Sequence, residues 1–74
     1  MRSLHTVLHD IEQATAQNLN VRLGAGYTYL KILKRLDEKH PELSGYIKLF
    51  LLVTRMTWKG EKASTLKNEL DQFA

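Results

Sequence analysis

Three histidines, eight acids and no cysteine are the groups from which this chain would have to build any chemistry. His5 and His9 stand four apart, with Glu12 a further turn on. On a helix that spacing puts the three on one face and suits zinc. The HExxH pattern is missing, because Thr6 follows His5. A working site needs more ligands and partners that orient them, and the trio falls opposite the apolar face of its own segment. A solvated surface is the preferred reading, and no metal is expected. His40 precedes Pro41 at the end of a helical pattern. A cation there is favoured by the helix macrodipole, and no obvious partner nucleophile accompanies it. Gly24-Ala25-Gly26 is a short glycine pair before a helix. A phosphate loop needs more glycine, a preceding strand and, in the Walker form, a Lys-Ser/Thr pair, so a turn and helix start account for it. Without cysteine there is no disulfide, thiolate ligand or cysteine nucleophile. A catalytic pocket is hard to fit into so small a core. These residues point to a protein that is not an enzyme and uses no cofactor.

The elements that would position them are helical. Seventy-four residues make one domain over 1–74, and a chain this short buries only about 60% of its unfolded surface. Leu4, Val7, Leu8, Ile11 and Ala14 share one helix face, which predicts a first helix over 3–17 with Ser3 as N-cap. Asn and Gly residues in 18–26 predict a turn under which Leu19, Val21 and Leu23 tuck. A second helix is expected over 25–39, with Tyr29, Leu30, Ile32, Leu33 and Leu36 on its inner face and a stop at His40-Pro41. A third runs from Glu42 or Ser44 to Lys59, halted by Gly60. A fourth covers 61–73, with Ala63, Leu66, Leu70 and Phe73 inward. Short connections favour antiparallel neighbours, so the expected architecture is all-α, an antiparallel four-helix bundle.

The third helix is unusually apolar, and its charges are all positive. A membrane span needs about 20 apolar residues, and Lys48 and Arg55 interrupt this shorter run. A helix apolar over most of its circumference is covered on most sides, so it should sit centrally. At about 100° per residue, Lys48, Arg55 and Lys59 form one narrow stripe that marks its open edge. Leu51 and Leu52 flank the stripe, either covered by the 19–23 turn or exposed as an apolar patch beside positive charge. Trp58 is an aromatic contact for a partner or, by the preferred reading, part of the core. The candidate partner-binding residues are therefore Lys48, Leu51, Leu52, Arg55, Trp58 and Lys59.

Eleven Lys and Arg against eight acids give a net charge of +3. That suits an acidic partner, nucleic acid or an anionic membrane face without selecting among them. A DNA-reading helix must offer polar side chains to base edges, and the third helix offers leucines, so nucleic acid is disfavoured. The absence of cysteine and of an unbroken apolar run near the N-terminus, where His5, His9 and Asp10 intervene, leads to a cytoplasmic expectation.

In order of features, the second half resembles the small immunity proteins that protect lactic acid bacteria from pediocin-like bacteriocins, the enterocin A immunity type. YLKILKRLDEKHPELSGYI supplies a helix and a polar break, and LFLLVTRMTWKGEKASTLKNEL an apolar helix, a basic break and a last helix with spaced leucines. The resemblance covers residues 27–73. It implies a cytoplasmic helical bundle that binds, without catalysis, at the inner face of the membrane. There it would block the mannose permease that the bacteriocin has seized. It also implies that the C-terminal half sets which bacteriocin is resisted. The alternative is a small phage or plasmid regulator that binds another protein or, failing that, DNA. A homodimer closed over Leu51 and Leu52 is a further arrangement.

Overall fold

Ser3 opens the first helix as its spacing predicts. Its Oγ accepts from the Thr6 N–H at 3.2 Å, and the N–H of Leu4 donates to Glu38 Oε1 at 2.8 Å, so two otherwise unpaired amide donors are satisfied. The computed structural model describes residues 2–74. Among them are five α-helices and no strand: α1 (Leu4–Thr15), α2 (Leu19–Arg22), α3 (Ala25–Arg35), α4 (Leu43–Val53) and α5 (Glu61–Asp71). The four longer helices contact one another in a closed circuit. α3 lies along α4, α4 touches α5, α5 packs on α1, and α1 returns to α3. The small α2 turn rests on α3 and α1.

The core is drawn from every helix. α1 contributes Leu4, Val7, Leu8 and Ile11, and α3 contributes Leu30 and Leu33. α4 adds Leu43, Ile47 and Phe50, and α5 adds Ala63, Leu66 and Leu70. At the periphery, Arg2 clamps α1 to α5. Its Nε and Nη2 donate to the two carboxylate oxygens of Glu69, each at 2.8 Å, and its Nη1 meets Asp10. That guanidinium holds the Asp10 carboxyl below its ordinary range.

Three boundaries depart from the expected ones. The 18–24 segment is not a plain turn over buried side chains. Asn18 caps a single helical turn through its Oδ1 and the Val21 N–H at 3.3 Å. Only Val21 enters the core, while Leu19 and Leu23 stand 66% and 84% exposed. α3 stops at Arg35 rather than Lys39, because Leu36 swings to an extended conformation and Asp37 Oδ1 takes the Lys39 N–H at 2.8 Å. Local bonding of this kind competes with a helix. His40 consequently does not cap α3; its Nδ1 accepts from the Glu42 N–H at 3.1 Å, just ahead of α4.

α4 ends at Val53 rather than Lys59. Thr54 turns its Oγ1 back to the Phe50 carbonyl at 2.7 Å, and its methyl lies against Gly26 of α3. A looser turn then returns Trp58 to the core. Gly60 does not halt α4; it starts α5 with a φ of +118°, a conformation that side-chain-bearing residues avoid.

Candidate docking surface

Stripe geometry depends on the helix that carries it. Because α4 ends at Val53, Lys48 lies on the helix proper, whereas Arg55 and Lys59 lie on the turn beyond it. All three are exposed. They border the open side of α4 without forming one helical row.

The central placement expected for this helix is corrected too. α4 packs on α3 and α5 but not on α1. Its buried line is Leu43, Ile47 and Phe50, continued by Thr54, and its outward side is left open. Leu49 is 39% and Leu52 59% exposed, and Met56 on the following turn is 76% exposed. Leu51 takes neither of its two expected states, being half-buried against the core. An apolar run does not by itself say how many neighbours a helix has. In a closed circuit each helix has two, and the surplus leucines remain outside.

Trp58 leaves the candidate contact set. It is 6% exposed, edge-on to Phe50 at 6.5 Å between ring centres. Lys67 of α5 holds it there. Its Nζ donates to the carbonyl oxygens of Thr54 at 2.9 Å and Trp58 at 2.5 Å, and stands 5.5 Å from the indole centre. One ammonium therefore satisfies two backbone acceptors beyond the end of α4. Burial, and then the nearby Lys59 charge, pushes that ammonium below its usual pKa.

Glu12 binds Lys34 at 2.7 Å, while His5 and His9 are exposed. Among the described residues no three His, Asp or Glu side chains gather as a metal site would require. Tyr27 is half-buried, with the Arg22 guanidinium 5.4 Å and the Lys31 ammonium 5.1 Å from its ring centre.

The feature that reading for motifs missed is a segregation of charge. No Asp or Glu occurs in 13–36 or in 43–60. The fold brings these two acid-free stretches together. Asn18 Nδ2 donates to the Thr57 carbonyl at 3.1 Å, and Gly26 lies under Thr54. Arg22, Arg55 and Lys59 are exposed on the paired turns, as are Leu19, Leu23 and Met56. The signal was legible as two long gaps between acids. Among the described residues no helix is long and apolar enough to cross a membrane. Compared with protein-family models, curated proteins and solved structures, the chain shows no significant match to any of them.

Proposed function

We propose that this protein acts by stoichiometric, non-catalytic binding, and that its docking surface is the open side of α4 with the basic turn that follows. One observation carries the reading. Leu49, Leu52 and Met56 are left exposed beside Lys48, Arg55 and Lys59, in a stretch free of acids. Exposed apolar area next to charge of one sign marks an interaction surface, and cations select an anionic partner. The occupant we assign is a membrane-embedded protein complex approached from the cytoplasm. The protein would then be a bacteriocin immunity factor that occupies the receptor complex. The circuit of helix contacts and the short connections support an antiparallel four-helix bundle as its scaffold. The comparisons add nothing to the resemblance over 27–73, so the proposal rests on this surface.

The test is protection. A bacteriocin-sensitive lactic acid bacterium expressing the chain should resist one or two pediocin-like peptides and remain sensitive to the rest. The combined substitution Lys48→Gln, Arg55→Gln, Lys59→Gln should weaken that protection about tenfold or more, with the helical circular dichroism of the parent, because exposed charges contribute little to folding. Sensitivity to every peptide of a broad panel, with the protein folded and abundant, would overturn the immunity reading. It would favour a soluble partner of the regulator kind. Undiminished protection by the triple variant would remove the basic border from the docking surface.

A further inference from the structure

Leu19 and Leu23 have no role in the α4 docking face. They are among the most exposed leucines of the molecule, at 66% and 84%; Leu19 opens and Leu23 caps a four-residue helix that the fold places beside the turn after α4. We propose that this end of the protein rests directly on an anionic lipid surface. Leu19, Leu23 and Met56 would enter the headgroup layer, with Arg22, Arg55 and Lys59 against the phosphates.

The inference deepens the reading that the protein works at a membrane face: it shares Met56, Arg55 and Lys59 with the docking surface and adds Leu19, Arg22 and Leu23. Side chains exposed to this degree suit insertion between headgroups. Amphipathic surfaces bind bilayers through buried apolar area together with attraction to anionic lipid. Lys and Arg near such a surface add to binding in proportion to their number. The two acid-free stretches meet here; of the acids that bound them, Glu12 lines a cleft with Arg22 and Tyr27 and is paired with Lys34, and Glu61 opens α5. Arg22 is already positioned. Its Nη1 donates to the Ala16 carbonyl at 3.1 Å and its guanidinium lies over Tyr27, yet the residue remains exposed. Asn18 fixes the two turns to each other through its bonds to Val21 and Thr57. The turns that carry the three apolar side chains and three cations are thus tied together rather than independent.

The experiment is co-sedimentation of the full chain with vesicles of phosphatidylglycerol and phosphatidylcholine, and with phosphatidylcholine alone. Partition into the mixed vesicles is expected, weak on the neutral ones, and falling as salt rises. Replacing Arg22, Arg55 and Lys59 by Gln should lower the partition coefficient about 100-fold. Replacing Leu19, Leu23 and Met56 by Gln should lower it about tenfold. Replacing Arg35 and Lys39 by Gln removes charge from the far end of the α3 segment, away from Tyr27, and it should change partition less than about threefold. Failure to bind anionic vesicles would overturn the proposal. So would an equal loss in the two cation-removal variants, or undiminished binding by the Leu/Met variant. Protection without vesicle binding would overturn the lipid contact and leave the immunity reading standing, with an acidic protein as sole partner. Vesicle binding without protection would do the reverse.

Discussion

Phe50→Ala is expected to remove a large share of the stability of the chain at 25 °C. Phe50 is fully buried near the end of α4, edge-on to Trp58. Truncating a buried Phe costs about 3–5 kcal/mol, through lost transfer energy and the cavity left behind. A domain of this length has a total stability of roughly 4–11 kcal/mol on the usual per-residue scale, and small domains lie toward its lower end. Trp58 makes the loss worse, because it depends on Phe50 for its packing and on Lys67 for its backbone bonds. Urea unfolding followed by tryptophan fluorescence would measure this. Leu52→Ala, on the same helix but 59% exposed, is the control and should shift stability by about 0.5 kcal/mol or less. A Phe50→Ala protein with the parent midpoint would mean that α4 does not pack as described.

Gly26→Val should be nearly as damaging, by about 3 kcal/mol. Gly26 sits in the first turn of α3, where a Cβ would lie 2.9 Å from the Thr54 methyl and 3.4 Å from a Val21 methyl. Thr54 has little room to yield. It is fully buried, and its hydroxyl is committed to the Phe50 carbonyl at 2.7 Å. Helix propensity pulls the other way, since Gly→Ala alone gains about 1 kcal/mol in an exposed helix. Gly26→Ala should therefore lose less than Gly26→Val, about 1–2 kcal/mol net. The diagnostic is Thr54→Ser, which deletes the obstructing methyl and keeps the hydroxyl. Combined with Gly26→Ala, it should recover about 1 kcal/mol relative to additivity in denaturant unfolding. Strict additivity would show that the methyl is not the obstacle.

The helical class and the inward faces of α1 and α5 were legible from spacing alone, whereas Ile32, expected on the inner face of α3, is not part of the core. Leu4, Val7, Leu8 and Ile11, like Ala63, Leu66 and Leu70, lie where a period of 3.6 puts them, and all are buried. The end of α4 was not legible. Nothing in the local pattern distinguishes Thr54 from a residue that continues the helix. The break arises from contacts with Gly26 and Lys67, which are remote in sequence. The same error projected Lys48, Arg55 and Lys59 onto one helical row, whereas the preferred reading of Trp58 as a core residue holds. Leu19 and Leu23 show a different limit. Hydrophobicity predicts that leucines want cover, and only packing decides whether cover exists; here one short turn buries Val21 and leaves both neighbours outside. Charge was the more informative property of these segments. The missing acids in 13–36 and 43–60 can be read without any structure, although their meeting at one end cannot.

The closed circuit of helices has a kinetic consequence. α3 and α4 are neighbours in the chain and share the most extensive contact, whereas α5 must return across most of the sequence to reach α1, where Arg2 and Glu69 are 67 positions apart. Local pairs form at small entropic cost, and long closures are slow. The rate-limiting step should find the α3–α4 contact largely formed and α5 still arriving. Chevron analysis would then give Ile47→Val a φ-value of about 0.6–0.8 and Leu70→Ala about 0.2; the opposite order would mean that closure between the first and last helices nucleates the fold. On the expected order, substitutions on α5 alter mainly how fast the protein comes apart. The helix that closes the circuit would thus govern how long each molecule stays folded once made.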